Sequence, residues 1–94
     1  MSVQQQEVVL IGKKPIMNYV IACLTLFNAG KPIITVKARG LVISHAVDTV
    51  ELLRRVFIKN LKIERIIIGS QQFERLNGSN GIVSTIDIVI SKKQ

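Results

Sequence analysis

Residues 82–91 read Ile82-Val-Ser-Thr-Ile-Asp-Ile-Val-Ile-Ser91, and they alternate between two kinds of side chain. In an extended chain one face carries the isoleucines, with Ser84 as the only exception, and the other carries Thr85, Asp87 and the valines. A period of two with one apolar face is typical of a strand that packs on one side and is wetter on the other. We therefore predict a strand over residues 82–91.

The residues before this strand complete a hairpin. Asn77-Gly-Ser-Asn-Gly81 is a glycine-rich turn, and residues 62–74 before it form another extended run. Two such runs on either side of a short turn pair in antiparallel fashion. The chain is therefore predicted to end in a long β-hairpin.

Two further strands are predicted in the first half of the chain. Residues 7–11 form a short strand that is apolar on both faces, which is typical of a strand in the centre of a sheet. Residues 33–37 form the next strand, and a loop over residues 38–43 follows it.

Helices are predicted after each of these two strands. The first covers residues 15–29, and Gly30 stands where a glycine in the left-handed conformation would end it. The second covers residues 45–58, with Ser44 as its N-cap.

The order of these elements is βαβαββ. It predicts an α/β two-layer sandwich, in which a mixed four-stranded sheet carries two helices on one face and the third and fourth strands form the long hairpin. Residues 1–6 are predicted to be a flexible tail, and residues 7–94 a single domain.

Length and composition narrow the class of protein. The chain has 94 residues, of which 48% are hydrophobic, enough for one folded domain. No apolar run approaches the roughly 20 residues of a transmembrane helix, and residues 1–7 do not read as an export signal. Cys23 is the only cysteine and has no partner for an internal disulfide. We expect a cytoplasmic protein that does not enter a membrane.

Positive charge is the first indication of function. Thirteen Lys and Arg residues face six Asp and Glu residues, for a formal net charge of +7. A field of this sign favours polyanions such as nucleic acid or an acidic membrane surface. The alternative is that the lysines are spread over the surface and only keep the protein soluble.

The positions of four cations favour a binding patch. Lys13 and Lys14 follow the first strand, and Lys37 and Arg39 leave the end of the second. Because these strands are predicted to be adjacent and parallel, both segments emerge at the same end of the sheet. Neither segment contains an acidic residue, and the two helix starts add backbone N–H groups that favour phosphate oxygens. The sequence therefore predicts a basic patch that binds phosphates.

The hairpin tip allows two interpretations. Arg75 stands near it, which is compatible with an arm that lies along or in a minor groove. Glu74 adjoins Arg75, which is equally compatible with an ordinary exposed hairpin. Aromatic residues are scarce, so we predict no platform for stacking unpaired bases, and contacts with phosphates rather than the reading of a sequence.

Catalytic and metal sites are not predicted. Gly12-Lys-Lys14 is similar to part of a phosphate-binding loop, but Glu7 stands where the first glycine is needed and Pro15 where Ser or Thr is expected. The single histidine, His45, and the single cysteine are too few for a zinc site or a Cys–His pair. We expect no enzyme activity, no cofactor and no metal. His45 is expected to face solvent or to contact phosphate, and Cys23 to lie in the core.

The first predicted helix has two apolar stripes, one over Ile16, Val20, Cys23, Leu24 and Phe27 and the other over Met17, Ile21 and Leu26. One face of a small sheet covers only one stripe, so we expect a partner subunit or a neighbouring dimer over the second. The alternative is that the second stripe consists of scattered exposed apolar residues, which are common.

Four motifs together resemble the Alba family of archaeal chromatin proteins: Ile11-Gly-Lys-Lys-Pro-Ile-Met-Asn-Tyr-Val20, Lys37-Ala-Arg-Gly40, Ile43-Ser-His-Ala-Val-Asp-Thr-Val-Glu51 and Val83-Ser-Thr-Ile86. The resemblance extends from about residue 8 to residue 93. It implies the βαβαββ fold and a homodimer, or a heterodimer with a paralogue, that binds double-stranded DNA without sequence preference and also RNA. It further implies association of dimers on DNA, by coating or bridging, and a location on the chromosome.

The resemblance also implies roles for individual residues. Lys13 and Lys14 match the family's paired DNA-contacting lysines, and Lys13 matches the one whose acetylation weakens binding. Arg39 matches a basic residue of the second loop, and Phe57 matches an aromatic residue at the family's dimer–dimer contact. Together with the charges placed above, the predicted nucleic-acid contacts are Lys13, Lys14, Asn18, Lys37, Arg39 and Arg75. Leu41 and His45 depart from the family pattern, because they stand where arginine and lysine are common.

Two other functions remain open from the sequence. The same basic patch suits an RNA-binding subunit or chaperone of a ribonucleoprotein complex, as eukaryotic relatives suggest. A purely structural interaction module is the third possibility, and it predicts that no nucleic acid binds even at low salt.

Overall fold

The computed structural model describes residues 7–93 and has the predicted βαβαββ order. The predicted tail over residues 1–6 lies outside the described residues. The elements are β1 (Glu7–Leu10), α1 (Ile16–Asn28), β2 (Ile33–Arg39), a 3₁₀ turn (Gly40–Val42), α2 (Ile43–Leu52), a π-helical turn (Leu53–Phe57), β3 (Leu61–Glu74) and β4 (Asn80–Lys92).

The four strands form one mixed sheet in the order β1-β2-β4-β3. β1 runs parallel to β2, and β4 pairs in antiparallel fashion with β2 on one side and with β3 on the other. Both helices pack on the same face, where alternate residues of β2 and β4, among them Val36 and Ile88, form the core with α1 and α2. The predicted α/β sandwich is thus confirmed.

Helix α1 buries one apolar stripe and leaves the other exposed. Val20 and Cys23 are fully buried, whereas Met17 and Ile21 are exposed. The helix ends as predicted: Gly30 has a φ of +88° and its N–H donates to the Phe27 carbonyl. The left-handed conformation suits glycine because it has no Cβ.

Strand β1 lies at an edge of the sheet, so the prediction that it is central was wrong. Val9 packs in the core beneath the helices, but Val8 and Leu10 point to the opposite face of the sheet, where no helix lies. Apolar residues on both faces of β1 therefore reflect an exposed apolar surface and not burial on both sides.

The link from β2 to α2 also differs from its prediction. β2 continues through Ala38 and Arg39, and the 3₁₀ turn then feeds directly into α2. Val42 occupies the N-cap position without a side-chain hydrogen bond, and Ser44 lies inside the helix. The proposed Ser44 cap was wrong because the helix begins earlier than its apolar pattern suggested.

The β3–β4 hairpin extends past the end of β2. β2 ends at Arg39, which is paired with Thr85 of β4, whereas β3 and β4 stay paired up to Glu74 and Asn80. Five residue steps separate Thr85 from Asn80, so the hairpin extends about 17 Å past the end of β2. We call this overhang, residues 70–84, the arm.

Three isoleucines on the helix-bearing face of the hairpin have no helix above them. Ile66 and Ile68 are paired with the buried Ile88 and Ile86, and so share their face, as does Ile82 on the arm. The helices cover β4 but leave these side chains exposed. We call Ile66, Ile68 and Ile82 the isoleucine strip.

Candidate nucleic-acid interface

A tyrosine of α1 holds the loop that carries the two adjacent lysines. The hydroxyl oxygen of Tyr19 accepts hydrogen bonds from the backbone N–H of Gly12 (2.9 Å) and of Lys14 (3.1 Å). The tyrosine itself is buried in the core, whereas the side chains of Lys13 and Lys14 are exposed. The lysine loop is thus fixed through its backbone, and its two ammonium groups point away from the core.

The lysine loop leaves the sheet beside the end of β2. Leu10 is paired with Lys37, and the Ile11 N–H donates to the Lys37 carbonyl at 2.8 Å. The next positions of the loop therefore lie level with Arg39. Leu10 also borders two shallow grooves, one lined by Lys14 and Asn18 and the other by Lys37 and Arg39. We call this end of the sheet, with Lys13, Lys14 and Arg39, the basic end.

Charge at the basic end is largely uncompensated. Within residues 7–93, no carboxylate lies within 4.0 Å of the charged nitrogens of Lys13, Lys14 or Arg39. Arg39 is exposed on the sheet face opposite the helices, where its guanidinium donates weakly to the Gln71 side chain (3.4 Å). These three cations are available to an anionic partner.

Lys37 is the exception among the four predicted cations. Its ammonium group forms an ion pair with Asp87 across the β2–β4 pair, at 3.2 Å. The expectation of a patch without acidic residues overlooked Asp87, which is 50 residues away in the chain and becomes a neighbour only through strand pairing. Both groups are partly solvated, so the pair reduces the local field of Lys37 without removing its charge.

Arg75 is engaged within the arm. Its guanidinium donates to the Asn80 carbonyl at 2.7 Å and lies over the Phe73 ring, 5.2 Å from the ring centroid. Arg75 therefore braces the tip of the arm and is not a free cation. This contact was not predicted, because the sequence does not show which side of the hairpin each residue occupies.

The remaining predicted contacts lie in different places. Asn18 is exposed in the first turn of α1, on the groove it shares with Lys14. Phe57 is half-exposed at the end of the π-helical turn, next to the exposed Val56. His45 is partly buried and not fully solvent-facing, and its Nδ1 has no hydrogen-bond partner among the described residues; the alternative, that it contacts phosphate, stays a prediction.

Cys23 and Glu51 are ionisable groups that lie outside the basic end. Cys23 is in the core as predicted, and burial raises the pKa of its thiol to about 11, so it stays protonated at neutral pH. Glu51 forms an ion pair with Arg54, and hydrogen bonds from Arg54 lower the pKa of the Glu51 carboxyl. In the described part of the chain no three metal-ligating side chains cluster, and no helix is long and apolar enough to cross a membrane.

Tyr19 offers a direct test of how the lysine loop is held. Tyr19→Phe removes the acceptor of two backbone N–H groups, and we expect it to lower the free energy of unfolding by about 1 kcal/mol, because water can partly replace the hydroxyl at this exposed loop. The affinity for nucleic acid that the sequence predicts for the basic end should fall several-fold, while the salt dependence of binding stays the same, since no charge is lost. Urea unfolding and a salt titration with labelled duplex check both parts. A changed salt slope, or an affinity equal to that of the unsubstituted protein, contradicts the assigned role.

Comparisons with known proteins agree with this architecture. The sequence model of the Alba family matches residues 7–70. The solved structure of Alba from Thermoplasma volcanium is similar at 41% sequence identity and a TM-score of 0.86, over 92% of this chain and 100% of that one.

A more distant structure has the same fold. ALBA1 from Trypanosoma brucei superimposes with a TM-score of 0.78 at 24% identity, over 96% of this chain and 72% of that one. The family match over more than half of the chain and the 41% identity to the Thermoplasma volcanium structure together fix the relationship. The chain therefore belongs to the Alba family, whose members generally bind nucleic acids.

Proposed function

We propose that this protein binds double-stranded DNA without sequence preference, and also RNA, by contacts with the phosphate backbone. The observation that carries the proposal is the basic end, where Lys13, Lys14 and Arg39 are exposed without acidic partners. Such contacts neutralise phosphates and release counterions, and they carry no base information. We propose a role in packaging and coating nucleic acid and not in catalysis, and a cytoplasmic location on the chromosome.

Lys37, Asn18 and Arg75 take secondary parts in this proposal. Lys37 contributes less than the other three cations, because Asp87 balances part of its charge. Asn18 adds an uncharged donor beside Lys14, and Arg75 contributes chiefly through the shape of the arm. Acetylation of Lys13 would remove one charge and its donors, and so would weaken binding.

The functional unit of the proposal is a dimer. The isoleucine strip is an apolar surface on the β3–β4 hairpin, and β3 is a 14-residue edge strand. Long apolar edges invite pairing with other chains, and a second copy of the chain across a two-fold axis would cover the strip on both subunits. A homodimer doubles the basic end. Phe57 and Val56, exposed on the π-helical turn, suit contact between neighbouring dimers on DNA.

A salt titration tests the proposal. Three cations per subunit give six phosphate contacts per dimer, so log K should fall against log salt with a slope of about −5. Labelled duplexes of unrelated sequence should give the same affinity, and duplex RNA of equal length should give a similar slope. A slope near zero, or strong binding confined to one sequence, would contradict the proposal.

A further inference from the structure

The turn at the tip of the arm carries one leucine whose side chain is fully exposed to solvent. Leu76 has a relative exposure of 111% and follows Arg75 at the corner of the turn. The Gly78 N–H donates to the Arg75 carbonyl (2.9 Å), and the Arg75 N–H donates to the Ser79 carbonyl (2.7 Å). Gly78 has a φ of +86°, as in a three-residue hairpin loop that ends in a glycine bulge.

Side chains around the turn fix its shape. The Asn77 side-chain oxygen accepts from the Ser79 N–H (3.0 Å) and the Ser79 hydroxyl (2.7 Å). The Phe73 ring lies so close to Gly81 that a Cβ there would be 2.4 Å from it, and the Arg75 guanidinium lies over the ring. The turn is thus built on a small cluster of its own, and that cluster does not include Leu76.

The arm carries too little positive charge to bind phosphates by electrostatic attraction. Arg75 is the only cation between residues 70 and 84. Glu74 precedes it in the chain, and the Arg75 guanidinium already donates to the Asn80 carbonyl. The tip is therefore close to neutral, and the group it projects farthest is apolar. A tip of this kind is suited to contact bases rather than phosphates.

The position of the arm brings Leu76 close to a duplex that is bound at the basic end. The arm extends about 17 Å past the end of β2, at the same end of the sheet as Lys13, Lys14 and Arg39. When those cations hold the phosphates, the tip reaches over a groove of the duplex. A whole hairpin is too wide for the minor groove, which is about 6 Å across, but one leucine at the apex of a turn is not. Several DNA-bending proteins insert leucine or a similar wedge there and partly unstack a base step.

We propose that Leu76 enters the minor groove of duplex DNA and partly unstacks a base step, so that the arm bends the duplex. This inference rests on the proposed DNA-binding function and adds a part that phosphate contacts do not supply. The step should favour flexible pyrimidine–purine sequences such as TA, because they unstack most easily. Duplex RNA offers a wide and shallow minor groove, so the leucine has no step to enter there.

The test compares Leu76→Ser with Ile21→Ser. Ile21 has a relative exposure of 55% and lies on α1, and it belongs neither to the basic end nor to the arm. The probes are a duplex with 2-aminopurine at a TA step, whose fluorescence rises on unstacking, and a duplex labelled at both ends for energy transfer. We expect the unsubstituted protein and Ile21→Ser to raise the fluorescence and shorten the end-to-end distance.

Leu76→Ser should abolish both signals. It should also weaken binding to duplex DNA about 5- to 10-fold, with the salt slope unchanged and affinity for duplex RNA within about twofold of the unsubstituted protein. Because Leu76 packs against nothing, the variant should fold normally, and its circular dichroism and melting temperature check this.

Three results would overturn the inference. The first is DNA binding by the unsubstituted protein, with the expected salt slope, that leaves both signals unchanged; the proposed function then stands without the wedge. The second is a Leu76→Ser variant that keeps both signals. The third is a Leu76→Ser variant with an altered oligomeric mass, which would make Leu76 a protein contact. Absence of any binding by the unsubstituted protein would instead refute the proposed function itself.

Discussion

Replacing Lys13 and Lys14 together by alanine is expected to weaken binding to duplex DNA by about three orders of magnitude at about 0.1 M salt. The dimer loses four of its six proposed phosphate contacts, and each contact contributes about 0.9 log units per tenfold dilution of salt below 1 M. The slope of log K against log salt should accordingly change from about −5 to about −2. Fluorescence anisotropy with a labelled duplex over a range of salt measures both quantities.

Lys92 and Lys93 provide the matched control. They are also adjacent and exposed, but they lie at the opposite end of the sheet, where Lys92 is paired with Leu61. Lys92→Ala with Lys93→Ala removes the same number of charges per chain and should lower affinity by no more than a few-fold. Equal losses in the two double variants would mean that net charge alone drives binding, which contradicts a site at the basic end.

Local patterns predicted much of the fold. The period of two over residues 82–91 identified β4, and the residues it placed inward at 86, 88 and 90 are buried. Gly30 marked the end of α1 because the left-handed conformation leaves a local signature in sequence. Strand order leaves no such signature. β1 was misplaced because an apolar strand at an edge and one in the centre of a sheet read alike.

The candidate site was predicted only in part, for a similar reason. Lys13 and Lys14 are neighbours in the chain. The single assumption that β1 and β2 are parallel was enough to predict Arg39 at the same end of the sheet. The Lys37–Asp87 pair, in contrast, depends on the exact register between strands far apart in sequence. The hydrogen bonds of the Tyr19 hydroxyl were also missed, although a single tyrosine in a helix of otherwise apolar core residues signals that its hydroxyl needs partners.

The isoleucine strip connects the fold to the proposed assembly. The apolar face of β4 continues into β3 by strand pairing, yet the helices stop short of it. In a single chain this exposure would contribute nothing to stability and would favour aggregation. Exposure of the strip is therefore accounted for only if another surface covers it. A second copy of the chain can do so without a different protein.

Ile68→Asp is expected to convert the dimer to a monomer. Ile68 has a relative exposure of 79%, and a charge placed there would be buried against the partner's strip without a counter-ion. Because a two-fold interface contains the substituted position twice, a loss of about 2 kcal/mol per copy amounts to about 4 kcal/mol, or roughly 1,000-fold in the dimer Kd. Sedimentation should show a mass near 10.5 kDa at micromolar concentration in place of twice that value.

The control for this substitution is Leu10→Asp, because Leu10 is similarly exposed, at 71%, but lies on β1 at the far edge of the sheet. This variant should keep the mass of a dimer. Ile68→Asp should also halve the salt slope of DNA binding, since each monomer presents three cations and not six. A monomeric unsubstituted protein, or an Ile68→Asp variant that remains dimeric, would show that the isoleucine strip is not the dimer interface. A monomer that kept the full slope would show that one copy of the basic end is enough to engage all the phosphates.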